Sequence, residues 1–321
     1  MSNPAGPRDK KVDEMDFIEK AAKKMQEKSS GTILERAAAQ GVLAGEERKK
    51  PVARVSAQPL PKGVRPGTPG GDRTKAKRSR RAEIDLIQLR ENGFIVPDSP
   101  TTVTAEEFRL IKRSLLMNAT VKGANEIANG NLILVSSSQP NEGKTFCSIN
   151  LALSIASERD YTVLLVDADF AKPEVLSSLG LEGGRGLIDV VADPSLDLSD
   201  CLIRTNIENL AVLPAGRQHH LTTELLASDR MNAIVGEIAA RYRDRIIIFD
   251  SPPALASSAA SVLAMHAGQA VFVVEAEVTR EPQIREGLTM IGGCPNISVV
   301  LNKTRYASSG RKFGAYYGYG T

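Results

Sequence analysis

From residue 131 onward the chain repeats one pattern six times: a short apolar run without alternation, then a stretch of helical periodicity. The runs are NLILVSS (131–137), TVLLVDAD (162–169), NLAVLPAG (209–216), RIIIFDS (245–251), QAVFVVEA (269–276) and ISVVLNK (297–303). A strand that is apolar on both faces must be covered on both, and helices do this when they connect parallel neighbours. Helical patterns fill the gaps, for example at 144–158, 221–241 and 255–267. The expectation is an α/β fold, a doubly wound and mostly parallel sheet with ligands at the carboxyl ends of the strands. Hydrophobic residues make up 42% of the chain, enough for a sizeable core. Aromatics are only 4% and tryptophan is absent, so that core must be aliphatic.

Three motifs fall at three strand ends. The first run leads into Ser138-Gln-Pro-Asn-Glu-Gly143-Lys144-Thr145 and then a helix. Backbone N–H groups of such a loop converge on phosphate oxygens, helped by the helix N-terminus. The usual opening glycine is replaced by Ser138. Lys144 is placed to reach the β and γ phosphates, and the Thr145 hydroxyl to ligate Mg²⁺. Asn141, Glu142, Gly143, Lys144, Thr145 and Phe146 are therefore the expected contacts to ATP. The second motif is VLLVDADFAKP, where Asp167 and Asp169 leave the next strand on the same side. Beside a metal phosphate they hold Mg²⁺ water or accept a hydroxyl proton. The third is RIIIFDSPP, whose Asp250 reads as the Walker B acid that orders the metal's water shell. Lys144, Asp167, Asp169 and Asp250 are the candidate catalytic groups, and Thr145, Asp167 and Asp250 the candidate metal contacts. Asn302 and Lys303 end the last strand, where Asn302 is a candidate contact to the adenine. His219 and His220 read as an exposed loop pair with no third metal ligand.

The remaining features bound the class. A net charge of +3 does not argue for nucleic acid. No apolar stretch approaches the roughly 18–20 residues that span a bilayer, and the N-terminus has no apolar signal region. Cys147, Cys201 and Cys294 lack metal-site spacing and read as reduced, buried thiols. Residues 1–82 are rich in Pro, Gly, Lys and Arg and are expected to be a disordered basic extension. Within it Val12, Met15, Ile18, Ala22 and Met25 have helical spacing, and KAKRSRR (75–81) forms a basic run. A folded nucleotide-binding domain is expected over 83–305. It opens on a helix at 104–117, marked by a Thr104/Glu107 capping box and an apolar face of Phe108, Ile111, Leu115 and Leu116. Glu106, Arg109 and Lys112 are expected to share another face.

The tail, 306–321, holds Tyr306, Tyr316, Tyr317 and Tyr319, although the whole chain has only six tyrosines. Its glycines deny it regular structure. It reads either as a sticky terminus or as the hydroxyl-bearing tail of an enzyme that phosphorylates itself. Taken together, EEFRLIKRSL, SSSQPNEGKT, LLVDADFAKP, GLIDVV, LPAGR, IIIFDSPP, LNK and the tyrosine cluster resemble the bacterial tyrosine kinases of exopolysaccharide and capsule synthesis. The resemblance covers roughly residues 100–321. It implies an ATP- and Mg²⁺-dependent autokinase in which the tail tyrosines receive phosphate from a neighbouring subunit. It implies a ring built through Glu106, Arg109 and the position of Lys112, where the family carries a third arginine; lysine keeps the charge but loses the bidentate fork. The arginine often found after the second acid is replaced by Ala171, with Lys172 next to it. The resemblance further implies a separate, membrane-embedded chain-length regulator as activator, a cognate tyrosine phosphatase, and a cytoplasmic location at the inner face of the membrane.

Two other readings stay open on the residues alone. Partition and septum-placement ATPases share the three strand-end motifs, but place a signature lysine where Gln139 stands. A non-catalytic adaptor of a polysaccharide export complex would use nucleotide only to switch assembly. Phosphate retained on the protein separates the kinase from the first, and phosphotyrosine in the purified protein separates it from the second.

Overall fold

In a computed structural model, the description covers residues 80–97, 102–241 and 245–305. The helix expected at 12–25, most of the basic run, and Tyr306, Tyr316, Tyr317 and Tyr319 lie outside the described residues. In chain order the strands are β1 (Arg80–Arg81), β2 (Leu132–Ser137), β3 (Thr162–Asp167), β4 (Ile203–Arg204), β5 (Leu210–Leu213), β6 (Arg245–Asp250), β7 (Gln269–Glu275) and β8 (Ile297–Asn302). The helices are α1 (Leu86–Glu91), α2 (Val103–Thr120), α3 (Lys144–Ala156), α4 (Val175–Ser178), α5 (Leu187–Ala192), α6 (Leu198–Cys201), α7 (Thr222–Leu226), α8 (Asp229–Arg241), α9 (Ala259–His266) and α10 (Glu281–Met290).

The strands form one eight-stranded sheet in the order β1-β4-β5-β3-β6-β2-β7-β8. All neighbours are parallel except β4 and β5. The central strands are apolar on both sides for the reason the sequence suggests. Leu132, Leu134, Leu164, Val166, Ile247 and Phe249 pack into one core with α5, α7, α8 and α9. Their chain neighbours Ile133, Val135, Val163, Leu165, Ile246 and Ile248 pack into a second core with α1, α2, α3 and α4. The sheet is thus the middle of three layers. The three cysteines are buried and free. Among the described residues no helix is long and apolar enough to cross a membrane.

Four local differences from the sequence reading have physical causes. The strand β8 is not covered on both faces: Val299 and Leu301 are more than half exposed, because an edge strand has a neighbour on one side only. The segment 221–241 is two helices, since the Ser228 hydroxyl accepts the Met231 N–H and starts α8 afresh. The helix α2 is capped by Thr102, whose hydroxyl accepts the Ala105 N–H, and not by Thr104. The two-residue strands β1 and β4 carry too few residues to show a period.

A buried glutamine joins α2 to the sheet. Gln269, 1% exposed at the start of β7, donates to the carbonyls of Leu115 and Gly130 and accepts from Asn118 Nδ2 at 2.9 Å. Replacing it by a similar apolar shape takes the partner from the buried Gly130 carbonyl and from the Asn118 amide, at a cost of about 1–3 kcal/mol. Gln269→Leu should therefore lower the unfolding free energy from chemical denaturation by that amount, with a matching fall in the midpoint, and an unchanged value would show that water replaces the amide.

Candidate active site

The loop between β2 and α3 takes its shape from groups outside it. Asn141 (φ 68°) and Gly143 (φ 93°) adopt left-handed backbone, which turns the chain into the first turn of α3. At Gly143 the glycine is required twice, since a Cβ there would also lie 2.1 Å from Asn302 Nδ2. That amide nitrogen donates to the Glu142 carbonyl at 2.9 Å. Lys303 Nζ donates to the Asn141 carbonyl at 2.7 Å and pairs with Glu275 Oε2 at 2.9 Å. The Glu142 side chain is 3% exposed; its carboxylate accepts from Gln139 N–H at 2.7 Å and from the Thr279 hydroxyl. Ser138, in place of the opening glycine, turns its hydroxyl out to α10, where it donates to the Gln283 carbonyl at 3.1 Å. The substitution is therefore accommodated outside the hollow of the loop.

The acids arrive from the adjacent strands. Register pairs Asp167 with Asp250 at the carboxyl ends of β3 and β6, next to β2. Lys144 Nζ lies 2.8 Å from Asp169 Oδ2, with both side chains nearly buried. The Thr145 hydroxyl donates to Asp250 Oδ2 at 2.7 Å, and Ser148 Oγ lies 2.9 Å from Asp250 Oδ1. Asp167 is fully buried and accepts from the N–H groups of Asp169 (3.3 Å) and Val175 (3.1 Å). Asp169 also accepts from Lys172 N–H at 3.1 Å.

One lysine thus stands among three carboxylates in a buried site, and protonation follows from that imbalance. Burial pushes Asp167 up to about 7, with the Asp250 charge adding to the shift. Burial likewise raises Asp250 to about 6, although Lys144 and the hydroxyls of Thr145 and Ser148 pull it back. Burial opposes the charge on Lys144, but Asp250 and Asp169 outweigh it and raise its pKa.

The structure brings Asn141, Glu142, Gly143, Lys144, Thr145, Asp167, Asp169, Asp250 and Asn302 into one locality. Phe146 faces sideways from it, its ring 5.2 Å from that of Phe94. Glu106 and Arg109 form an ion pair on the open side of α2. Lys112 borders the same surface hollow as Glu106 and Arg109, at its packed edge. Four residues after Phe108 and three before Leu115, it stands on the packed side, 8% exposed. Its Nζ donates to the Ser154 carbonyl at 2.7 Å and pairs with Glu158 at 2.6 Å. His219 and His220 stack with ring centroids 4.7 Å apart. Sequence reasoning missed Ser148, Thr279, Phe94 and the clamp of Lys303. For Ser148 a signal existed, since three residues after Thr145 lies on the same face of a helix.

Comparisons place this arrangement among known proteins. A family model described as an AAA domain matches residues 130–289. The tyrosine-protein kinase wzc of Salmonella typhimurium is 27% identical over 247 residues, 76% of this chain. The match takes in 33% of that relative, so the chain spans about a third of its length. CapB of Staphylococcus aureus, which carries a tyrosine-protein kinase name, is 30% identical over 65% of this chain and 88% of its own. The crystal structure of the chimerical protein CapA2B2 superposes with a TM-score of 0.57 at 27% identity, covering 69% of this chain and 92% of that one.

Two outcomes test this geometry. Gly143→Ala combines left-handed backbone with a clash that forces Asn302 off Glu142, and should destabilise by about 1–3 kcal/mol, read by thermal unfolding. The second concerns pH. Asp167 holds its proton to about 7 when folded, whereas an unfolded aspartate releases it near ~4, so the folded state binds more protons in between. Stability therefore falls as pH rises from about 4 to about 7, by at most about 4 kcal/mol for a shift of this size. The Tm of Asp167→Asn minus that of wild type should grow steadily across this window; a constant difference would refute the buried-charge account.

Proposed function

The chain belongs to the bacterial tyrosine-protein kinases, and from that premise we propose that it is an ATP-dependent autokinase serving exopolysaccharide synthesis and export. Its acceptors in this reading are Tyr306, Tyr316, Tyr317 and Tyr319 of a neighbouring copy. The observation that carries the reading is the Lys144, Thr145 and Ser148 cluster against Asp169 and Asp250 at the mouth of the loop.

The donor set fits Mg²⁺ and ATP. Mg²⁺ takes one or two protein ligands and completes its shell with phosphate oxygens and water. The Thr145 hydroxyl and the Asp250 carboxylate, already 2.7 Å apart, are the groups to hold it. When bound, the metal neutralises charge on the phosphates. The loop N–H groups and the N-terminus of the 13-residue helix α3 receive phosphate oxygens. Lys144 supplies the cation for the transferring group, and Asp169 holds that lysine in line. Ser148 and Thr145 fix both oxygens of Asp250.

Asp167 is the group to orient and deprotonate the tyrosine hydroxyl. Tyrosine has a pKa near ~10 and needs an acceptor at neutral pH. Each oxygen of Asp167 keeps a lone pair beyond the backbone bond it accepts, so the carboxylate can take the hydroxyl proton. Glu106 and Arg109 serve the contact between copies in a ring, while Lys112 serves the packing of α2 on α3. A membrane-embedded chain-length regulator activates the kinase and keeps it at the inner face of the membrane, and a tyrosine phosphatase resets the tail.

Lys144→Met should lower phosphotyrosine at least about 100-fold, the scale for losing a transition-state contact in a buried site. Mixing that chain, tail intact, with a chain whose Tyr306, Tyr316, Tyr317 and Tyr319 are phenylalanine should restore phosphate to the Lys144→Met chain. Phosphate released to solvent without phosphotyrosine would favour the ATPase reading. Labelling of wild type but not of the mixture would defeat transfer between copies.

A further inference from the structure

The segments that follow the acids of β3 and β6 wall a second cavity, of about 600 Å³. Phe170, directly after Asp169, forms part of its floor with Pro252, two residues after Asp250, and Ala259; all three are buried. The loop after β5 closes the other side with His219 and His220. A volume of this size takes an aromatic side chain with its flanking backbone, and an apolar floor with a polar rim is the usual build of a specific subsite.

The histidine pair is held in place. His219 Nδ1 accepts the Leu221 N–H at 3.1 Å, so that nitrogen is unprotonated and Nε2 is left as the donor. The His219 carbonyl accepts from the Thr222 hydroxyl at the start of α7. The two rings stack at 4.7 Å with 16° between their planes. Such a pair offers a flat face to a phenol ring and a donor to its oxygen.

Charge identifies the occupant. Among the described residues no Asp, Glu, Lys or Arg lines the cavity. The segment 314–321, Gly-Ala-Tyr-Tyr-Gly-Tyr-Gly-Thr, also has no charged side chain, whereas Tyr306 directly follows Arg305.

We propose that this cavity is the acceptor subsite, that it takes the uncharged segment 314–321 ahead of Tyr306, and that His219 and His220 are its specificity-determining wall. The inference rests on the kinase reading above. It also accounts for release. A phosphotyrosine carries about −1.5 to −2 charges, and an uncharged cavity behind Asp169 and Asp250 has nothing to pair with them.

The test uses full-length chain whose Tyr306, Tyr316, Tyr317 and Tyr319 are serine, and a fluorescein-labelled peptide of sequence Gly-Ala-Tyr-Tyr-Gly-Tyr-Gly-Thr. Fluorescence anisotropy should show saturable binding, weakened about tenfold by His220→Ala and by His219→Asn, with nucleotide affinity and Tm unchanged. His219→Asn keeps an acceptor for the Leu221 N–H, so the loop survives while the ring is lost. Equal peptide affinity in wild type and both variants overturns the subsite, as does a parallel loss of nucleotide affinity. Peptide binding that depends on the histidines, in a protein that never forms phosphotyrosine, would sustain the subsite and sink the kinase reading instead. In the unmodified chain, a mass-spectrometric time course should show Tyr316, Tyr317 or Tyr319 labelled before Tyr306; the reverse order overturns the preference for the uncharged segment.

Discussion

Three buried carboxylates around one buried lysine set the terms for the rest of the structure. Left in water, Asp167, Asp169 and Asp250 would ionise freely and repel one another. In the sheet they are desolvated, and Lys144, two backbone N–H groups on Asp167, one on Asp169 and two hydroxyls on Asp250 offset their charge. Such a site is intrinsically unfavourable. It persists because the strands that carry the acids are among the deeply buried elements of the described residues. Parallel pairing of β3, β6 and β2 fixes all three strand ends at the same level. The two cores on either side of the sheet therefore hold the acids together against their own repulsion.

The phosphate-type loop shows the same division of labour. Its left-handed residues are a local feature, but its conformation is held by Asn302, Lys303 and Thr279, 137 or more residues away in sequence. Preorganisation here is tertiary: the hollow keeps its shape because two later segments, around Thr279 and at Asn302 and Lys303, grip its outer side. Ser138 fits the same scheme, as its hydroxyl belongs to the contact with α10 and not to the hollow.

This explains what could be read from the sequence. The six long strands were legible because burial on both faces leaves an uninterrupted apolar run, and the acids were legible because they end those runs. The site's supporting groups were not. Thr279 and Lys303 matter through contacts that no local spacing encodes, and Phe94 meets Phe146 only once the chain has crossed from α1 to α3. Lys112 was legible only in part: it borders the hollow of Glu106 and Arg109, but its burial was not foreseen. Its charge suggested an open surface, whereas its position in the helical turn placed it on the packed side, where a long aliphatic stem can lie in the core while its ammonium group finds Ser154 and Glu158. The exposure of β8 follows from strand order, which periodicity does not reveal.

Lys303 has a mechanical consequence. The residue sits at the point where β8 ends, in a left-handed conformation, with its ammonium group on the Asn141 carbonyl. The tyrosine-bearing segment begins three residues further on. The segment is thus tethered at the loop itself, not merely at the edge of the sheet. Tension along it is borne first by the Lys303 to Asn141 link, so a load on the tail becomes a load on the loop.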